Sequence, residues 1–110
     1  MFPITVVTDE TDCAPGAKRF YVGRLSPLGN RFVLKEHGGQ YTREESLKKF
    51  AEELALQVAS PRNTLFCNML WEIRDAALSQ PVELECHCHP LPCHADLIRK
   101  FILCLAEPRA

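Results

Sequence analysis

Cysteine and histidine crowd into one short stretch of the chain, Cys86-His87-Cys88-His89-Pro90-Leu91-Pro92-Cys93-His94. It holds three of the six cysteines and three of the four histidines. Thiolate sulfur and imidazole nitrogen are donors that suit Zn²⁺, so Cys86, Cys88, Cys93 and His94 form a candidate metal set with zinc as the cofactor. Their C-x-C-x₄-C-H spacing is more compact than that of a paired zinc knuckle. The same residues suit thiol chemistry, with Cys93 as nucleophile and His94 or His89 as proton carrier. A third use asks no chemistry of them. Cys86 and Cys88 then serve as small buried hydrophobes, and His94 caps a helix or donates a neutral hydrogen bond. Residue types alone leave all three uses open.

A second constellation is Gly23-Arg24-Leu25-Ser26-Pro27-Leu28-Gly29-Asn30-Arg31. A turn containing Gly29 and Asn30 can leave backbone N–H groups open, and Arg24 and Arg31 have the planar fork that grips phosphate or carboxylate. Ser26, Gly29 and Asn30 are therefore candidate ligand-positioning residues beside the two arginines. The stretch lies in a basic segment, with Lys18, Arg19, Arg24, Arg31 and Lys35 and no acid among them. It matches no Walker or dinucleotide-binding fingerprint, and a plain structured turn is the competing reading.

These residues need elements to position them. Ile4 to Thr8 is β-branched and mostly apolar, as a buried strand requires. Asp9 to Lys18, with Pro15-Gly16, reads as loop. Phe20-Tyr21-Val22 and Arg31 to Lys35 read as second and third strands. Thr42 and Glu45 form a T-x-x-E capping box that opens a helix carrying Leu47, Phe50, Ala51, Leu54 and Val58 on its apolar face, with Pro61 as its stop. A second helix is predicted from an Asn63 cap to Ser79, its stripe made by Leu65, Phe66, Met69, Leu70, Ile73, Ala76 and Ala77. Val82 to Cys86 reads as the next strand. Leu97, Ile98, Phe101, Ile102 and Leu105 then give the last helix its buried face.

In that frame Cys86 and Cys88 project to the same side of an extended segment, while Pro90 and Pro92 stiffen the connection. Cys93 or Pro92 opens the last helix, whose positive end favours a thiolate. Asp96 falls in its first turn, where a carboxylate is favourable in any case. Cys13, Cys67 and Cys104 are assigned structural roles. The order β-β-β-α-α-β-α predicts a small layered α/β fold with a partly parallel, Rossmann-like sheet and three helices, in a single domain over residues 1–110. Ligands of such sheets sit beyond the carboxyl ends of the strands, where the Cys/His loop falls.

Composition bounds the functions available. The chain is 46% hydrophobic and 25% charged with a net charge of -1, so a whole-surface attraction to nucleic acid or anionic lipid is not expected. The apolar start, Phe2 to Val7, is broken by Pro3 and too short for a secretory core, and no transmembrane stretch is read. The expected location is the cytoplasm, a reducing compartment in which the cysteines stay thiols or metal ligands.

Two blocks raise a resemblance. Tyr21-Val22-Gly23-Arg24-Leu25-Ser26-Pro27-Leu28-Gly29-Asn30 and Cys86-x-Cys88-x-Pro90-x-Pro92-Cys93-His94-Ala95-Asp96 resemble the two signatures of an uncharacterised family of phages and bacteria, domain of unknown function four-three-two-six. Arg31 stands where that family has proline, and His87 and His89 stand where it has an aromatic and a small residue. The resemblance implies a small cytosolic protein of a bacterial cell, often phage-encoded. Residues and resemblance together lead to the expectation of a small anionic ligand, a nucleotide or nucleoside derivative. It would lie between the Arg24–Arg31 and Cys86–His94 loops, positioned by the first and contacted or acted on by Cys93 and His94. These residue types suit binding and catalysis alike. The alternative is a non-enzymatic factor that binds a host protein and uses the cluster as a structural zinc staple.

Overall fold

Three four-residue runs form the sheet: β1 (Ile4–Val7), β2 (Lys18–Tyr21) and β3 (Val82–Glu85). In this computed structural model, which describes residues 1–59, 63–87 and 93–106 with the side chains of 105 and 106 excepted, the strand order is β1-β3-β2. Both pairings are parallel, with Val6, Leu84 and Phe20 in one row and Val7, Glu85 and Tyr21 in the next. The last strand of the sequence is thus the middle one.

Alternation along the strands sorts the sheet's two faces. Ile4, Val6, Phe20, Val82 and Leu84 are buried and join one core with residues of three helices, α1 (Arg43–Ala59), α2 (Leu65–Ala77) and α3 (His94–Ala106). Phe50 and Leu54 enter that core from α1, Leu70, Ile73 and Ala77 from α2, and Ile98 and Ile102 from α3. The opposite face carries Arg19, Glu83 and Glu85, with the Arg19 guanidinium 2.8 Å from Glu83 Oε1 and 3.5 Å from Glu85 Oε1. The connection from β1 to β2 passes beside this pair, and the Ala14 N–H donates to Glu83 Oε2 at 3.3 Å.

The capping box at Thr42 forms as predicted. The Glu45 N–H donates to Thr42 Oγ1 at 3.1 Å, and the Thr42 N–H donates to Glu45 Oε1 at 3.0 Å. The Thr42 backbone N–H first, and then a hydrogen bond from the Thr42 side chain, hold the Glu45 carboxyl below its ordinary range. The cap of α2 is Thr64 rather than Asn63. Thr64 Oγ1 accepts the Cys67 N–H at 3.1 Å, and the helix ends at Ala77. Pro61, the expected stop of α1, lies outside the described residues.

The third expected strand, Arg31 to Lys35, does not form. Asn30 Oδ1 accepts the Phe32 N–H at 2.9 Å and Ser46 Oγ donates to the Phe32 carbonyl at 2.6 Å, so side chains take the bonds a neighbouring strand would have made. One isolated bridge joins Leu34 to Tyr41, and a 3₁₀ turn over Lys35–His37 closes on Gly38 at φ 86. The sheet is therefore three-stranded and parallel throughout, where a partly parallel one was expected.

Candidate functional site

Because the strands are parallel, the segments that follow β2 and β3 leave the sheet side by side. Val22 and Cys86 continue the two strands. The Val22 N–H donates to the Glu85 carbonyl at 3.0 Å, and the Cys86 N–H donates to the Val7 carbonyl at 3.0 Å. α3 starts over the same edge, with Cys93 as the residue before its first turn. Asp96 closes that turn, since one of its carboxylate oxygens accepts the Cys93 N–H at 3.1 Å while the Asp96 N–H donates to the Cys93 carbonyl at 3.0 Å. The Asp96 carboxylate thus supplies one half of a capping box, while the sulfur in the cap position lies 3.5 Å from the Ala95 N–H.

Cys86, Cys93 and His94 meet here, each buried. Cys93 Sγ is 2.9 Å from Cys86 Sγ, and His94 Nδ1 is 3.4 Å from Cys93 Sγ and 4.0 Å from Cys86 Sγ. The opposite ring nitrogen, Nε2, lies 2.5 Å from the Val22 carbonyl oxygen. A carbonyl only accepts, so Nε2 carries a hydrogen, and Nδ1 is the ring nitrogen that faces the two sulfurs. Phe50 meets the imidazole edge-on, 5.1 Å between centroids, and fixes its plane. Three potential metal-ligand atoms lie within 4.8 Å of one another. Cys88 and His89, the other expected members of the cluster, lie outside the described residues.

The centre forms one wall of a cavity of about 230 Å³. Gly23, Arg24 and Asn30 contribute from the first signature loop, Cys86, His87, Cys93 and His94 from the second. The two loops do share a cavity. Phe32, Val33, Leu34 and Leu47 supply an apolar side, while His37 and Arg43 add two more nitrogen-bearing groups and Ser46 a hydroxyl. No carboxylate is among these lining residues. Arg24 is exposed at the rim and ion-pairs with no acid among the described residues. Arg43 also holds Glu36 Oε1 at 2.8 Å.

The remaining expected ligand residues stand elsewhere. Arg31 points away, pairs with Glu53 at 3.1 Å and lies over the Phe32 ring at 4.9 Å. Ser26 and Gly29 build the turn instead of lining the cavity: the Ser26 hydroxyl donates to the Gly23 carbonyl at 2.8 Å, and the Gly29 N–H donates to the Ser26 carbonyl at 2.9 Å. A Cβ on Gly29 would fall 2.6 Å from the Gly23 carbonyl oxygen, so the turn closes only around a bare α-carbon. Asn30 links this turn to α1, its amide donating to Ser46 Oγ at 2.7 Å.

Sequence reasoning missed Arg43, Ser46, Leu47 and His37. The signal was available for the first three. The Thr42 capping box put the start of a helix after β2, and helix starts in parallel α/β layers lie at the carboxyl edge of the sheet. Of the other cysteines, Cys67 is buried as a structural role requires, whereas Cys13 and Cys104 are exposed.

Fold and site together define a small parallel α/β protein with a thiol–imidazole centre at the carboxyl edge of its sheet. The chain belongs to the family described as Domain of unknown function (DUF4326), whose model matches residues 6–103 and so spans every residue of the cavity. No curated protein and no solved structure matches it. Among the described residues, no helix is long and apolar enough to cross a membrane.

Proposed function

We propose that this protein binds a small anionic ligand, a nucleotide or nucleoside derivative, in the cavity between its two signature loops. The observation that carries the reading is the lining: it includes Arg24 and Arg43 and no carboxylate among the residues named, together with the apolar Phe32, Val33, Leu34 and Leu47. A planar ring against the apolar side and a phosphate between the arginines would use both halves. A volume of about 230 Å³ lies below the roughly 300–1,000 Å³ of drug-sized sites, which favours a mononucleotide or smaller over a dinucleotide. Cys93 and His94, on the wall, would contact the ligand and are the residues placed to act on it.

The test is thermal stabilisation by a panel of nucleoside monophosphates, nucleosides and inorganic phosphate. A phosphorylated member should raise the melting temperature of the wild-type chain. Arg24→Ala should weaken binding by roughly 10- to 100-fold, the loss of about 1.5–3 kcal/mol for a charge-assisted hydrogen bond. Arg31→Ala, outside the cavity, should respond like wild type. Equal responses from wild type and Arg24→Ala would sink the reading.

One observation favours a second reading, the convergence of Cys86, Cys93 and His94. In it the centre is a structural zinc staple, with Cys88 as a further thiolate, in a non-enzymatic phage factor that binds a host protein. Stoichiometric zinc, lost in Cys93→Ser together with the fold, and unfolding by chelators would be its marks.

A further inference from the structure

We propose that Cys86 and Cys93 form a reversible dithiol–disulfide pair, oxidised by a small hydroperoxide that reaches the sulfurs from the cavity. The pair stands whatever the pocket binds.

Cys86 directly follows the middle strand β3, and Cys93 directly precedes α3. They are 7 residues apart in sequence, yet their sulfurs are 2.9 Å apart. A disulfide needs about 2.05 Å, so the sulfurs close by about 0.9 Å, which side-chain rotation supplies. The backbone at both positions is tied down. The Cys86 N–H donates to the Val7 carbonyl at 3.0 Å, and the Cys93 N–H donates to the Asp96 carboxylate at 3.1 Å. The fold itself therefore brings the sulfurs together. Access selects by size: the two residues are only 3% and 2% exposed, yet both line the cavity of about 230 Å³. A peroxide little larger than water suits that route better than a peptide disulfide does.

Each step conserves atoms and electrons. One sulfur attacks a peroxide oxygen: an S–O bond forms, the O–O bond breaks, and water leaves with the thiol hydrogen, giving a sulfenic acid. The second sulfur then attacks the first. An S–S bond forms, the S–O bond breaks, and the oxygen leaves as a second water with the second thiol hydrogen. Two thiols thus lose two hydrogens and two electrons, and one hydrogen peroxide becomes two waters. Because the second sulfur is already in place, condensation outruns further oxidation to sulfinic acid. A disulfide has no thiolate to offer a metal, so oxidation would also release a zinc ion held by this pair.

The experiment exposes the reduced full chain to hydrogen peroxide in thiol-free buffer, then blocks remaining thiols with iodoacetamide under denaturing conditions. Trypsin cleavage after Arg74 and Arg99 gives one peptide that holds Cys86, Cys88 and Cys93. Mass spectrometry should find this peptide short of two hydrogens, with the alkyl group on Cys88. Dithiothreitol before blocking should restore three alkylated thiols. Cys13 and Cys104, both exposed, are internal standards for access, and the pair should oxidise roughly tenfold or more faster than either. Cys88→Ser should form the link at the wild-type rate. A link through Cys88, sulfinic acid without a link, or a pair slower than the exposed cysteines would overturn the proposal. Zinc released in step with the link would support it. Zinc retained over sulfurs that stay reduced would overturn it and leave the staple standing. Phosphate and nucleotide binding are not read here, so failure of the pair leaves the anion pocket untouched.

Discussion

Each ring nitrogen of His94 has a single kind of neighbour, and that division gives the centre its direction. The Val22 carbonyl holds the Nε2 edge and the two sulfurs share the Nδ1 edge. Cys93, His94 and Cys86 were legible as a cluster because their donor types are rare and adjacent in sequence. The partner that orients His94 was not, since a backbone carbonyl carries no signature in residue type. Leu25 was illegible for a related reason. It sits at φ 72 with its side chain fully exposed, between cavity-lining Arg24 and turn-forming Ser26. A left-handed leucine costs roughly 1–2 kcal/mol, and this side chain recovers none of it by burial. Leu25→Gly should therefore stabilise the protein by about 0.5–1 kcal/mol after the entropy of glycine is set against the relief, raising the melting temperature by a few degrees. A lower melting temperature would show that Leu25 contributes a contact worth more than its strain.

Local rules decided the elements where they were self-contained. The α1 start was readable because Thr42 and Glu45 satisfy each other's backbone donors within one turn. Arg31 to Lys35 misled because its composition suits a strand, yet the bonds that settle its shape come from Asn30 and from Ser46, 14 residues beyond Phe32. The same long-range wiring makes the first signature loop a single unit. Gly23, Ser26 and Gly29 wind the turn, and Asn30 ties it to α1 through Ser46. Gly29→Ala tests this unit. The added methyl would press on the Gly23 carbonyl at 2.6 Å, a backbone atom that yields only if the turn shifts. A destabilisation of about 1–3 kcal/mol is expected, read as a lower urea midpoint, with weakened phosphate binding because Arg24 and Asn30 move with the turn. An unchanged midpoint would mean that the turn relaxes freely and does not position Arg24.

At the scale of the whole molecule, the sheet sets one side for the core and the other for charge, and both serve the site. Helices on the apolar face bring α1 and α3 to the carboxyl edge where the cavity lies. On the opposite face Arg19 joins β2 to the central strand β3 through Glu83 and Glu85, next to the points where Val22 and Cys86 leave the sheet. Burial pushes the Glu83 carboxyl up, but the Arg19 hydrogen bonds, the Ala14 N–H and the Arg19 charge outweigh it and hold the group below its ordinary range. The same hydrogen bond raises the Arg19 guanidinium further, out of any working range. A carboxyl held low in the folded state contributes stability above its unfolded value, about 4.3, and loses it as pH falls through the folded one. Glu45, also held low by its cap, adds loss of the same sign. Urea unfolding should therefore show wild type more stable than Glu83→Gln by about 1–3 kcal/mol at pH 7, the scale of hydrogen bonds to a charged group. The gap should narrow as pH falls below about 4, because the wild-type carboxyl becomes neutral like the amide. A gap of constant size down to pH 3 would mean that Glu83 acts by packing and not by charge. In that case the tie between β2 and β3, and with it the placement of the Val22 carbonyl behind His94, would rest on the backbone ladder alone.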